Sequence, residues 1–312
     1  MNTEKSERCG ALLEGFRQYH ADHGRLRGIS DDESLNVLVN QMIESERRIR
    51  FVQRLLGSSM SLSRADPDSP VFDPIRASAL ASQEGQFDQA CWLAFLATYF
   101  GKHRTTGWQL CREIYGALGE RTWAWVEISN SLAQFEEWLI ETISSRSGQK
   151  PKGHFGNHRK YETLKPESDR GILAAFRSYI ELVNSHGGHE ELIEFTIENP
   201  PSDRGLAFDT LYHRLDPIVS FGRTGRFDLL ALLKNLDLAI ISPERPYLPG
   251  ASGPLVGAKL LILGSKTASA RTKDLEQTLQ ELDRYINIGM QAMEDSICNW
   301  QKSPRRFIPF RG

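Results

Sequence analysis

Nearly every segment of this chain repeats its apolar residues at the spacing of an α-helix. In residues 7–19 and 33–56, apolar side chains recur at positions i, i+3, i+4 and i+7, which places them on one helix face. The sequence lacks runs of Val, Ile and Thr that alternate with polar residues, the pattern typical of a β-strand. We therefore predict an all-α fold.

Two segments interrupt the helical pattern. Residues 57–73 are rich in Ser, Asp and Pro, which predicts an early linker. Residues 144–165 combine Gly, Pro and basic residues in a loop of a length that compact domains usually keep for a function. We predict an N-terminal helical extension at 1–65 and a larger helical domain at 66–312. The larger domain is either one body or two lobes with the active site between them.

The charge balance limits the possible partners. The chain has 38 Lys and Arg against 40 Asp and Glu, a net charge of -2 that is not typical of a non-specific nucleic-acid binder. Contact with DNA would therefore depend on local basic patches. Two such patches lie at residues 146–165, where Glu162 is the single acid, and at residues 302–312, which contain no acid.

Localisation and cofactors are predicted from what the sequence lacks. No stretch approaches 18 uncharged apolar residues, and the first residues are polar, so we predict a cytoplasmic protein without a membrane segment. The four cysteines lie far apart without a Cys-x-x-Cys pair, which argues against a zinc site and a disulfide framework. We predict no metal, no cofactor and no obligate protein partner.

The strongest local signal covers residues 227–263, where an apolar helix, a glycine-rich turn and a second apolar helix follow one another. In a helix-hairpin-helix element, small residues let the turn approach a phosphate, which the backbone N–H groups of the second helix then bind. Gly250, Gly253 and Gly257 would form this turn. The turn contains one extra residue, so a plain corner with helix-capping glycines is the alternative.

Several uncommon strings occur in order along the chain. They are Phe72-Asp-Pro, Trp92-Leu-Ala-Phe-Leu-Ala-Thr-Tyr-Phe-Gly-Lys102, Gly107-Trp-Gln-Leu110, Gly153-His-Phe-Gly-Asn-His-Arg-Lys-Tyr-Glu162, Phe221-Gly-Arg-Thr-Gly-Arg-Phe-Asp228, the segments 247–259 and 289–304, and the terminal Pro309-Phe-Arg-Gly312. Together they resemble the alpha-glutamyl/putrescinyl thymine pyrophosphorylase family, clade 3, which belongs to the helix-hairpin-helix DNA glycosylase superfamily. The resemblance spans about residues 70–312.

The resemblance implies a base-excision scaffold that acts on hypermodified pyrimidines in phage DNA. Because the clade is similar to a bacterial anti-phage DNA glycosylase, it implies excision of glucosylated 5-hydroxymethylcytosine from double-stranded DNA as antiviral defence. The enzyme would flip the base, hydrolyse the N-glycosidic bond and leave an abasic site. Two alternatives stay open. One is a transferase or pyrophosphorylase acting on pyrophosphorylated hydroxymethyluracil, and the other is a non-catalytic reader of modified DNA.

A glycosylase needs a carboxylate near C1′ of the sugar. In the superfamily the catalytic Asp follows the hairpin at the start of another helix, and the matching position is Asp274. Asp228 and the neighbours Glu294 and Asp295 are rivals. Each acid also has a structural interpretation. Asp274 would be an ordinary first-turn acid, and Asp228 would form an ion pair with Arg223 or Arg226 of its own motif. Glu294 and Asp295 would be a structural pair.

In the superfamily, members that also cleave the strand carry a Lys early in the second hairpin helix; the matching position here is near Leu255, so the resemblance favours a monofunctional hydrolase. The predicted DNA contacts are Gly250, Gly253, Gly257, Lys259, His154, Asn157, His158, Arg159, Lys160, Arg223, Lys302, Arg305, Arg306 and Arg311. The predicted base pocket consists of Tyr247, Trp300, Trp92 and Gln291. Plain solvation of the basic loop and core packing of the aromatic side chains are the structural alternatives.

Overall fold

The structure is a computed structural model that describes residues 2–145, 148–194 and 202–310. Across these residues the regular elements are helices, and no strand forms beyond an isolated β-bridge between His103 and Gly107. The all-α prediction is confirmed. The α-helices are α1 Asn2–His23, α2 Asp32–Leu55, α3 Pro74–Gln83, α4 Phe87–Phe100, α5 Gln109–Tyr115, α6 Trp125–Asn130, α7 Leu132–Ser144, α8 Ile172–His186, α9 His189–Glu194, α10 Arg204–Arg214, α11 Arg223–Asn235, α12 Gly253–Leu263, α13 Thr272–Ile286 and α14 Met290–Trp300.

Several of these helices begin and end at residues with a clear local cause. Asp73 accepts hydrogen bonds from the backbone N–H groups of Ile75 and Arg76, and Pro74 occupies the first turn of α3. Gly264 ends α12 with a φ of 72°, in the left-handed region that favours glycine. Among the described helices, none combines the length and the apolar character that a membrane span requires.

The chain divides into two compact units. The first consists of Met1–Phe51 and Pro243–Arg311. Its core combines residues from both segments: Leu12, Phe16, Leu38 and Met42 from the first, and Leu261, Leu279, Met293 and Trp300 from the second. Residues 1–51 thus share a core with residues 243–311. The predicted division, with an extension at 1–65 and one domain at 66–312, does not include this grouping.

The second unit is Val52–Ser242, and its central helix is α4. Trp92, Phe95 and Tyr99 of α4 are almost completely buried, and the Phe95 ring lies 3.7 Å from that of Tyr179 on α8, centroid to centroid. Helix α4 packs against α3 on one side and α11 on another. The unit therefore has an aromatic core, and the C-terminal end of α4 supports the residues described next.

Candidate functional site

Two of the uncommon sequence strings meet at one buried side chain in the second unit. We call them the loop motif (Gly153–Glu162) and the FGR motif (Phe221–Asp228). Arg159 of the loop motif is 6% exposed. Its Nε donates to the carbonyl oxygen of Thr98 at 2.7 Å, and a terminal nitrogen donates to Asp228 Oδ2 at 3.1 Å. A single guanidinium thus links α4, the loop motif and the FGR motif.

The loop motif reaches this position because it approaches α4 very closely. The backbone N–H of Gly156 donates to the carbonyl of Phe100 at 2.8 Å. A Cβ atom on Gly156 would lie 2.8 Å from the carbonyl carbon of Gly101, so a larger residue would push the loop away. The 3-10 turn Asn157–Arg159 follows immediately and directs Arg159 inward.

The FGR motif presents its acid at the start of α11. Ser220, just before the motif, has a φ of 66°, an unusual conformation for a non-glycine residue that is often found at functional sites. Asp228 lies in the second turn of α11, and its side chain is 44% exposed although it is paired with Arg159. Asp228 therefore combines a fixed ion pair with open access to solvent.

Glu162 is a second carboxyl group beside Arg159. Burial raises the pKa of Glu162, while a hydrogen bond with Ser220 and the charges of Arg159 and Arg170 oppose the rise. The Arg159 guanidinium favours the charged form of Asp228 by direct contact. Two carboxyl groups, one with a pKa raised by burial and the other paired with Arg159, thus lie near the same guanidinium, and acid–base chemistry needs a proton donor and a carboxylate.

Tyr99 adds an unusual polar group to this cluster. Its hydroxyl is buried and has no hydrogen-bond partner among the described residues. Burial raises the pKa of Tyr99 well above its ordinary value; the charge of Glu162 also raises it and that of Arg159 lowers it. An unpaired buried hydroxyl lowers the free energy of unfolding by about 1–3 kcal/mol, so Tyr99 is locally destabilising at this position.

The structure separates the predicted DNA contacts of the loop motif into two groups. His154, Asn157, His158 and Lys160 are exposed, as a DNA contact requires, whereas Arg159 is buried and cannot reach a phosphate on the surface. Arg223 of the FGR motif is also buried, and its guanidinium lies 4.6 Å from the centroid of the Phe227 ring. The two arginines thus support the site from inside.

The ion pair predicted for Asp228 as its structural interpretation involved Arg223 or Arg226. Asp228 forms an ion pair with Arg159, which is distant in sequence, and Arg226 contacts Asp216. Sequence proximity was the basis of that interpretation, and it could not reveal the pair with Arg159, which depends on the turn that directs Arg159 inward.

The other candidate acids lie in the first unit and have structural partners. Asp274 is exposed in the first turn of α13 and accepts from Arg271 Nε at 2.9 Å. Asp295 contacts Arg48 and accepts from Asn299 Nδ2 at 2.8 Å. Glu294, its neighbour on α14, is half-buried. Asp274 thus lies in a first turn beside an arginine, and Asp295 is an ion-pair partner of Arg48.

The predicted base-pocket residues are mostly internal. Trp92 and Trp300 have no exposed surface, and their indole N–H groups donate to the carbonyls of Trp123 and Ser34. Tyr247 is 5% exposed, below Arg245. A base could stack on these rings only if the core opened. Gln291 is half-buried.

The predicted hairpin turn is anchored within the first unit. The N–H of Leu248 donates to the buried Glu276 Oε1 at 2.7 Å, and Gly250 is exposed with a φ of 75°. A Cβ on Gly257 would lie 2.3 Å from the carbonyl oxygen of Ile297, so this glycine permits the close packing of α12 on α14.

Gly253 has a similar packing role, because a Cβ there would lie 2.6 Å from Cys298 Sγ. Helix α11 belongs to the second unit and α12 to the first, and the helix-hairpin-helix element stays a prediction. The remaining basic residues are a half-buried Lys259 and the exposed Lys302, Arg305 and Arg306. Arg311 lies outside the described residues.

A cavity of about 660 Å³ lies elsewhere in the second unit. Its described lining is apolar apart from three acids and a few neutral polar groups, and it contains no Lys, Arg or His; the acids are Glu84, Asp88 and Glu190. Asp88 Oδ1 accepts from Nδ1 of the buried His189 at 2.5 Å, and His189 Nε2 contacts the Tyr179 hydroxyl at 2.7 Å. Sequence reasoning did not identify this group, because α4 and α9 are distant in the chain.

Comparison with known proteins gives one family. The family model described as alpha-glutamyl/putrescinyl thymine pyrophosphorylase clade 3 matches residues 33–312, a range that includes both motifs at Arg159. No curated protein and no solved structure matches the chain.

Proposed function

Because the chain belongs to the alpha-glutamyl/putrescinyl thymine pyrophosphorylase family, clade 3, we propose that it is a monofunctional DNA glycosylase for a hypermodified pyrimidine. Membership of this family implies an enzyme that acts on modified bases. The proposed substrate is glucosylated 5-hydroxymethylcytosine in double-stranded phage DNA, and the product is an abasic site. The proposed role is antiviral defence in the cytoplasm.

The observation that carries this proposal is the pairing of the loop motif with the FGR motif at Arg159. Hydrolysis of an N-glycosidic bond breaks the bond between C1′ and the base nitrogen and adds water to C1′. A protonated carboxyl group can give a proton to the departing base, while an ionised carboxylate stabilises the positive charge that develops at C1′. Glu162 suits the first role because burial raises its pKa.

Asp228 suits the second role because it is paired with the Arg159 guanidinium and 44% of its side chain is exposed. Arg159 is then a positioning residue, since its two hydrogen bonds fix Asp228 relative to α4 without contact with the substrate. In this scheme Asp274 and Asp295 have no part in the chemistry. Asp228 replaces Asp274 as the preferred carboxylate near C1′, and Glu162 is the proton donor.

The test incubates the full chain with three duplexes that carry glucosylated 5-hydroxymethylcytosine, 5-hydroxymethylcytosine or cytosine. Abasic sites are counted by alkaline strand cleavage, and the released base is identified by mass spectrometry. We expect abasic sites in the glucosylated duplex alone. An Asp228→Asn variant is the control, since it should bind the same duplex without releasing base.

The family name points to a different reaction, in which an amine displaces pyrophosphate from a modified uracil. Release of pyrophosphate from pyrophosphorylated hydroxymethyluracil DNA in the presence of an amine, without abasic sites on any duplex, would replace the glycosylase proposal with a transferase. Selective binding of modified DNA without any product would leave a non-catalytic reader.

A further inference from the structure

The four residues that close the loop motif are divided between the two sides of a turn. Arg159 is buried and Glu162 is half-buried, while Lys160 and Tyr161 between them are exposed. The N–H of Glu162 donates to the carbonyl of Arg159 at 2.9 Å, which closes the turn. The same turn therefore carries two candidate site residues on its inner side and a cation with an aromatic ring on its outer side.

The exposure of Tyr161 is exceptional for an aromatic side chain. Tyr161 is 87% exposed, compared with 50% for Phe51 and 37% for Phe307. Among the described residues, the contact of its ring is with Lys160, whose Nζ lies 5.1 Å from the ring centroid. Folding thus leaves an aromatic face open to solvent, where it contributes little to stability and is available to a partner.

The turn that presents Tyr161 is held at two points that precede Tyr161 in the chain. Gly156 is bonded to the end of α4 before the turn, and Arg159 is fixed to Thr98 and Asp228 within it. A ring on such a support can bind a partner with little loss of backbone freedom. The exposed basic residues Lys160, His154 and His158 on the same motif favour an anionic partner.

We infer that Tyr161 is a base-stacking residue of a DNA interface, and that Lys160 contacts a phosphate of the same strand. Planar stacking on an exposed aromatic ring is a common way to hold an unpaired or unstacked base. The ring would stack on a base adjacent to the everted nucleotide, because Tyr161 lies only two residues after Arg159 in the same turn. This inference rests on the proposed function, because it assumes that the sugar of the target nucleotide lies at the Arg159–Asp228 pair.

The test compares four variants of the full chain on the glucosylated duplex: Tyr161→Phe, Tyr161→Trp, Tyr161→Leu and Tyr161→Ala. Fluorescence anisotropy measures Kd, and 2-aminopurine next to the modified nucleotide reports unstacking. We expect the Phe and Trp variants to match the wild type within about twofold, and the Leu and Ala variants to bind about tenfold more weakly. Leucine is the matched control, since it keeps apolar volume but has no planar ring.

Because Tyr161 is so exposed, all four variants should unfold at the wild-type temperature. The Lys160→Ala variant should bind more weakly and show a salt dependence of Kd reduced by about one phosphate contact. Equal Kd values and equal 2-aminopurine signals for Tyr161→Ala and the wild type would overturn the inference. Equal losses in the Phe and Leu variants would also overturn it, because a ring would then be irrelevant.

The two proposals fail in different ways. If the wild type releases no base from any duplex but the Leu and Ala variants still lose DNA binding, the glycosylase proposal fails and the stacking residue stands. If base is released and the Tyr161 variants behave like the wild type in both assays, the stacking residue fails and the glycosylase proposal stands.

Discussion

Two regions of the second unit share a geometry and differ in electrostatics. In each, the buried side chain of an Arg or a His is paired with a half-exposed carboxylate from another part of the chain. The exposed fractions of the side chains are 7% for Arg159 and 44% for Asp228, and 3% for His189 and 46% for Asp88. Burial and pairing alone therefore do not distinguish a catalytic pair from a structural one.

The surroundings distinguish them. Burial lowers the pKa of His189, against the opposing effect of Asp88, so the imidazole is neutral at neutral pH and links Asp88 to Tyr179. Arg159 is always charged. The cavity at Asp88 is bordered by further acids, which repel phosphate, whereas the turn at Arg159 carries exposed basic residues. The comparison indicates that the Arg159 region suits a polyanion and the His189 region does not.

The largest effect expected is the difference between Asp228→Asn and Asp88→Asn. We expect Asp228→Asn to lower the single-turnover rate of base excision by about 1,000-fold, because the charge at C1′ loses its carboxylate. The single-turnover rate of Asp88→Asn should stay within about twofold of the wild-type rate, since Asp88 has no proposed part in the reaction. Similar losses in the two variants would break the comparison.

The next largest effect concerns stability. Arg159→Leu should lower the free energy of unfolding by about 3 kcal/mol, because it leaves a buried carbonyl and a carboxylate without their donor. His189→Phe keeps a ring of similar size and should cost about 1–3 kcal/mol through its lost hydrogen bonds. Urea unfolding at two pH values measures both. The Arg159 effect should be smaller at acidic pH, because the charge of Arg159 favours the ionised form of Glu162 and this interaction is lost when Glu162 is protonated. An effect of equal size at both pH values would contradict that interaction.

A smaller effect is expected for the proposed proton donor. Glu162→Gln should reduce the excision rate by about 10- to 100-fold and remove the decline of the wild-type rate with rising pH, because glutamine cannot supply the proton. The raised pKa also implies that Glu162 contributes most to stability at acidic pH, and that this contribution is lost as the pH rises through the raised pKa. If the rate of Glu162→Gln still declined with rising pH as in the wild type, the decline would belong to another group.

The smallest effect is the pH dependence contributed by His189. Its folded-state pKa is lowered, so its contribution to stability is complete above the ordinary value of 6.5 and is lost as the pH falls below that value. The slope due to this group is at most about 1.4 kcal/mol per pH unit. Denaturant unfolding between about pH 5 and 8 should show a shallower slope for His189→Phe than for the wild type. An unchanged slope would show that His189 is already charged in the fold.

The all-α class could be predicted because helical periodicity is a local property of the sequence. The helix predicted at 33–56 is observed as Asp32–Leu55, and the loop at 144–165 contains no α-helix among its described residues beyond Ser144, the last residue of α7. The shared core of residues 1–51 and 243–311 could not be predicted in this way, because it depends on contacts between distant segments.

The site was predictable in part. Asp228 and Arg159 were both candidates, but their pairing was not visible, because the basic residues of the loop look equivalent in sequence and burial separates them. Glu162 appeared only as the single acid of a basic patch, since its raised pKa is a consequence of tertiary burial. Trp92 and Trp300 looked suitable for base stacking for the same chemical reason that places them in the core.

The most direct test of the account is a crystal structure of the full chain with a duplex whose glucosylated nucleotide carries a 2′-fluoroarabino sugar, which slows cleavage at C1′. We expect C1′ of the everted nucleotide within about 4 Å of an Asp228 carboxylate oxygen, with Glu162 facing the base. A sugar bound instead at Asp274, at Asp295 or in the cavity at Asp88 would contradict the assignment of the Arg159 region as the active site.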